Sequence, residues 1–110
     1  MAKPMTEAKI DRQGDSDFQV TGDMTFETAR KLLIDSKALF QEVKDLNLDL
    51  AEVEHVDSAG LSLLLEWISQ AKKKGGKISL KGMPESLLAI ARLCQVDSTL
   101  DSFVEKKAER

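Results

Sequence analysis

Several residue types that carry chemistry are scarce in this chain: in 110 residues there is one cysteine, one histidine, one tryptophan and no tyrosine. The lone Cys94 cannot close an internal disulfide, so a reducing compartment is the expected setting. Together with the single His55 it falls far short of a zinc ligand set, and no metal or cofactor is expected. Long apolar runs are also missing. No stretch approaches the roughly 18 consecutive apolar residues of a membrane-spanning helix, and the opening "MAKPMTEAKIDRQGD" lacks the apolar core of a signal peptide. A cytosolic location follows as an expectation. Positive charge is not in excess: 16 Lys and Arg against 19 Asp and Glu leave a net charge of −3. No basic field is therefore present to hold nucleic acid or an anionic membrane surface, and neither is expected as a direct partner. Glycine-rich phosphate loops are missing too, because "TGDM" and "SAGLS" lack the clustered glycines and lysine that cradle a nucleotide.

What is present reads as one soluble α/β domain over residues 1–110, with a tail from about 104 expected to fray. The 42% apolar and 32% charged shares suit a chain of this size with one buried core. Met5 to Asp11 reads as a short edge strand entering a hairpin at "RQGD". In "DFQVTGDM", Phe18, Val20, Gly22 and Met24 alternate with polar residues, the period of a half-buried strand. Thr25 then sits where a helix N-cap belongs, and Phe26, Ala29, Leu32, Leu33, Leu39, Phe40 and Val43 form the apolar stripe of the following helix, with Ile34 off it. "LNLDLAEVEHV" returns to alternation, and Val53 and Val56 are expected to continue the strand after a bulge or a loop.

"SAGLSLLLEWISQAKKKGG" is the strongest helix, closed by a basic last turn and glycines. Leu61, Leu64, Leu65 and Ile68 make its stripe, and Leu63 with Trp67 widen the apolar arc, which predicts some surface facing a partner. "KISLKG" supplies another strand. Pro84 is expected at the first position of a helix whose apolar side is Leu87, Leu88, Ala91 and Cys94. A final helix is expected near Phe103. The order strand, strand, helix, strand, helix, strand, helix, helix implies a mixed, mostly parallel sheet of about four strands with helices packed against it.

Candidate chemistry concentrates in "HVDSAGLSLLLEW". His55 close to Ser58 would suit nucleophilic catalysis, but no third orienting group is evident, and no catalytic residue is assigned. The carboxylates Asp45, Asp49, Glu52, Glu54 and Asp57 are spread along a strand without ligand spacing. Lys72, Lys73, Lys74 and Lys77 fit a helix C-terminus. Asp57 or Ser58 can cap the helix, Gly60 permits a close backbone approach, and a phosphate on the Ser58 hydroxyl would gain the helix dipole and its free amides.

The stretches "QVTGDMTFETARKLL", "LNLDLAEVEHVDSAGLSLLLEW" and "GGKISLKGMPESLLAIARLCQV" resemble the STAS domain, and the likeness runs over nearly the whole chain. Within that family, "VDSAGLSLLLEWISQAKKKG" followed by "LKGMPESLLAIARLCQVDSTL" is most similar to MlaB-type subunits of phospholipid ABC transporters. The resemblance implies a noncatalytic subunit that binds and supports the transporter's cytoplasmic ATPase, which maintains outer-membrane lipid asymmetry, and that reaches the inner membrane only through that complex. It places Asp57, Ser58, Ala59, Gly60 and Leu61, with Asp23 and Thr25, at the partner-facing surface. Anti-sigma factor antagonists share the loop; there the residue matching Ser58 is the phosphoacceptor and the partner is a kinase-like anti-sigma factor. The chain departs from them at Ala59, where many carry a second serine.

Overall fold

The computed structural model describes residues 8–104. Its elements follow the expected order: β1 (Lys9–Arg12), β2 (Asp17–Met24), α1 (Phe26–Phe40), β3 (Leu46–Val56), α2 (Ser58–Lys73), β4 (Ile78–Lys81), α3 (Glu85–Leu93) and α4 (Asp97–Asp101). Of the edge strand read from Met5 to Asp11, residues 5–7 lie outside the described residues. The sheet has four strands in the order β1-β2-β3-β4. β1 pairs antiparallel with β2, while β2 with β3 and β3 with β4 run parallel. The mixed, mostly parallel α/β sheet is thus observed.

The sheet's two faces differ because apolar residues alternate along its strands. Phe18, Val20 and Met24 of β2, Leu46, Leu48 and Leu50 of β3, and Ile78 and Leu80 of β4 are buried in one cluster with residues of all four helices. The opposite face carries Asp17, Gln19, Asn47, Asp49, Ser79 and Lys81 around a polar recess of about 560 Å³. In β3 the buried residues are spaced by two up to Leu50 and by three from there to Val53, and the half-buried Val56 follows three further on. Two register shifts account for the change. Between Gln19↔Asp49 and Thr21↔Glu52, and again between Gly22↔Val53 and Met24↔Val56, β3 has one more residue than β2. Each extra residue bulges, and the bulges keep Val53 and Val56 on the apolar side despite the change of period.

Helix α1 lies on the apolar face through Leu32 and Phe40, with Ala29, Leu33 and Leu39 half-buried. Ile34 is exposed, as its place off the stripe predicts, but Phe26 is also exposed, at 80%. It begins the helix at the end of the sheet, beyond the layer that would cover it. Two polar residues take buried positions instead. Thr28 donates to Asp23 O at 2.6 Å, and Ser36 donates to Leu33 O at 2.8 Å, so burial leaves neither hydroxyl proton unpaired.

Helix α2 corrects the expectation drawn from its wide apolar arc. Leu63 and Trp67 are 5% and 0% exposed, so the extra width is mostly core, with Leu63 keeping an edge on a depression between α1 and α2. The reason is that α2 packs against α1 and α3 as well as the sheet, and a helix with neighbours on three sides needs a broad arc. Trp67 stacks edge-on to Phe40 at 5.8 Å and donates its indole N–H to Ser36 Oγ at 2.9 Å. At the other end Lys72 and Lys73 close the last turn, and Gly75 turns the chain at φ 75°. Lys74 Nζ reaches across to the carbonyls of Phe40, Gln41 and Val43, so this basic run serves the C-terminus of α1 as well as its own helix.

Pro84 occupies the N-cap of α3, with φ −65° and ψ 151°, one position before the one expected. Leu87 and Ala91 are buried, but Cys94 is exposed, contrary to its placement in the core. It is the residue after the helix, and the chain leaves through Gln95 at φ 61°, which ends the periodicity that would have turned the thiol inward. A final helix is present, but α4 lies earlier than expected, starting within "CQVDSTL" and ending at Asp101, and Phe103 falls in the turn after it. Val104, placed in the frayed tail by the sequence, forms a parallel bridge with Leu80; residues 105–110 lie outside those described.

Candidate functional site

Parallel pairing of β2 with β3 brings Met24 beside Val56. Both strands therefore end at the same sheet edge, and α1 and α2 start side by side. Asp57 joins these two starts. Its Oδ1 accepts from Ala59 N at 2.9 Å and Gly60 N at 3.2 Å, the ordinary work of an N-cap on α2. Its Oδ2 accepts from Phe26 N of α1 at 3.0 Å. One carboxylate thus serves orphan amides of two helices, and its charge lies where both dipoles favour it.

Thr25, the N-cap of α1, is half-buried; its N–H donates to Thr28 Oγ1 at 2.9 Å. Its own hydroxyl faces the Thr28 amide in the arrangement of a capping box but makes no close side-chain hydrogen bond. Ser58 is exposed at the first position of α2 and Ala59 is half-buried beside it. Gly60 and Leu61 are buried. A Cβ on Gly60 would collide with the Met24 carbonyl oxygen, so the close approach permitted here is that of β2's own backbone. The expected residues are thus brought together in two layers: Ser58, with Asp57, Thr25 and Ala59 partly covered, lies toward solvent, and Gly60 and Leu61 hold the turn from beneath.

Sequence reasoning missed the groove that continues from this turn. Between α1 and α2 lies a shallow depression of about 510 Å³ lined by Ala29, Leu33, Ala59 and Leu63, with Arg30 and Glu66 beside them. Phe26 is one helical turn before Arg30 on α1. The i, i+3 and i+4 spacing of Phe26, Ala29, Arg30 and Leu33 was the available signal, but it reads equally as a core stripe.

Asp23 joins this turn only through its backbone, whose carbonyl accepts from Thr28 Oγ1. Its side chain is 12% exposed and its Oδ1 lies 2.9 Å from His55 Nδ1. Glu54 adds a carboxylate, all three ligand atoms lying within 4.8 Å of one another. The expected dispersal of the carboxylates therefore fails for Glu54. Asp23 is also the orienting group that the sequence left unidentified for His55, yet no hydrogen bond joins His55 to Ser58 among the described residues. The step that would activate a serine nucleophile has no geometry here. Among the described residues no helix is long and apolar enough to cross a membrane.

The family model described as "Mlab, STAS domain" matches residues 9–105. The intermembrane phospholipid transport system binding protein MlaB of Escherichia coli (strain K12) is 41% identical over 46 residues, 42% of this chain and 47% of that protein. The chain thus spans about half the length of the MlaB relatives it matches. The anti-sigma-B factor antagonist of Bacillus subtilis (strain 168) is 26% identical over 92 residues, 82% of this chain and 84% of that protein. Among solved structures, the anti-sigma factor antagonist SpoIIAA in its unphosphorylated form superposes with a TM-score of 0.69 at 15% identity, covering 94% of this chain and 90% of that one. At that identity the likeness concerns the fold.

Proposed function

Since the chain belongs to the MlaB-type STAS domain family, we propose that it is a noncatalytic subunit that binds and supports the cytoplasmic ATPase of a phospholipid ABC transporter. The observation that carries the reading is the exposed Ser58 at a turn hydrogen-bonded through Asp57, next to a mainly apolar depression between α1 and α2, with the exposed Phe26 one helical turn earlier on α1. A docking surface gains affinity when its backbone is ordered before the partner arrives, and an aromatic beside an apolar depression is a suitable anchor. In this reading Ser58, Ala59 and Thr25 touch the ATPase, Asp57, Gly60 and Leu61 shape the turn, and Asp23 supports β2. The subunit sits on the cytoplasmic side of the inner membrane through its complex, in a system that maintains outer-membrane lipid asymmetry. The test is a pull-down from the native cell followed by a dissociation constant with the purified ATPase. Recovery of the ATPase, with affinity reduced for Ser58→Arg, is expected. Recovery of a sigma-regulating kinase without the ATPase would overturn the reading.

The exposed Ser58 hydroxyl at a helix N-terminus favours one alternative, an anti-sigma factor antagonist switched by phosphorylation there. A phosphate at that position would lie at the positive end of the α2 dipole and add charge to the turn, beside the Asp57 carboxylate that already accepts from the Ala59 and Gly60 amides. Phosphopeptide mass spectrometry of the protein purified from its own cells decides between them: a phosphorylated Ser58 supports the switch, and an unmodified Ser58 under all growth conditions counts against it.

A further inference from the structure

The second bulge of β3 has a chemical consequence. It sets two residues, Glu54 and His55, opposite the single Asp23 of β2, and both side chains reach the Asp23 carboxylate region, the three ligand atoms lying within 4.8 Å of one another. An unbulged pairing would place one residue opposite Asp23 and send its neighbour to the other face. We propose that Asp23, Glu54 and His55 form a binding site for a divalent first-row transition ion of the zinc type.

The donor set suits that chemistry. Around an ion bound at about 2.1 Å, neighbouring ligand atoms sit roughly 3.0–3.4 Å apart in octahedral or tetrahedral geometry. His55 Nδ1 and Asp23 Oδ1 are 2.9 Å apart across a hydrogen bond, so the ion enters by replacing the proton between them, which leaves to solvent or is exchanged for one on Nε2, with a slight opening of that pair and an inward adjustment of the donors that lie up to 4.8 Å apart. Asp23, 12% exposed at its side chain, is the fixed member, while His55, 74% exposed, is free to adjust. Two carboxylates balance a dication, and an imidazole nitrogen favours zinc over magnesium or calcium, which prefer all-oxygen sets. Three protein ligands leave the remaining positions to water or to a group from outside. The sequence conceals the set because Asp23 lies 32 residues from His55, and neither it nor the adjacent Glu54 and His55 have ligand spacing alone.

The experiment uses the full chain carrying Cys94→Ser, which removes the exposed thiol as a competing ligand, after treatment with a chelator. Titration with Zn²⁺ is expected to saturate at one ion per chain and to raise the melting temperature as Zn²⁺ increases. His55→Ala and Asp23→Asn, each checked for native circular dichroism, are expected to weaken binding about tenfold or more. Mg²⁺ at the same concentration is expected to produce no shift. Failure to saturate, unchanged affinity in His55→Ala, or equal binding of Mg²⁺ would each overturn the site. None of these readouts depends on the identity of a docking partner.

Discussion

The most consequential single residue is Asp57, because three amides from two helices converge on its carboxylate. Loss of an ordinary N-cap costs about 1 kcal/mol, and this one sits at the upper end of the range because α1 depends on it too. Asp57→Ala is expected to lower unfolding free energy by about 2 kcal/mol, measured as a fall in the urea midpoint. A change no larger than that of a surface substitution would show that the Phe26 contact adds nothing. Phe26 should behave in the opposite way. With 80% of its surface exposed, Phe26→Ala is expected to leave stability within about 0.5 kcal/mol of wild type while weakening partner affinity by about fivefold or more. A stability loss without a binding loss would remove Phe26 from the docking face. These two residues are bonded neighbours, yet one belongs to the scaffold and the other to the surface it presents.

Helix α2 shows how an element's role depends on what surrounds it. Its arc from Leu61 through Leu63, Leu64, Trp67 and Ile68 is buried throughout, and the bond from Trp67 Nε1 to Ser36 Oγ ties it to α1 inside the core. Ser36→Ala would leave the indole N–H buried without an acceptor, a penalty of about 1–3 kcal/mol. The measurement is chemical denaturation of the variant against wild type, and an unchanged midpoint would mean that the indole finds another acceptor. Strand β3 teaches the complementary lesson. Its apolar spacing of two, two, three and three is visible in "LNLDLAEVEHV", so the sequence predicts a bulge or a loop, and the pairing shows bulges. What the spacing cannot indicate is which residue of β2 each bulge faces, and that pairing is what brings Glu54 and His55 to Asp23. The turn at residues 57–60 was more legible, because a cap, a serine and a glycine are local features written within four residues.

At the scale of the whole molecule, a single apolar cluster includes residues from every strand and helix except the outermost polar positions. Unfolding is therefore expected to be one cooperative transition: the fluorescence of Trp67, which is fully buried, and far-ultraviolet circular dichroism should trace coincident curves. Separate midpoints would mean that the helical layer and the sheet open independently. The order of elements, the alternation of the strands and a helix cap at Asp57 or Ser58 were legible in the sequence alone, because each rests on periodicity or on hydrogen bonding within a few residues, and the mostly parallel sheet followed from the alternation of strand and helix; that Asp57 is the cap was decided by the structure. Only the tertiary structure decided the rest. Phe26 and Cys94 look like core residues on a helical wheel but are exposed, since the covering layer stops short of one and the helix ends before the other. Leu63 and Trp67 look like surplus surface but are buried, since three neighbours close around α2. Periodicity states which residues share a side; burial depends on what stands opposite, and that is fixed by chain segments distant in sequence.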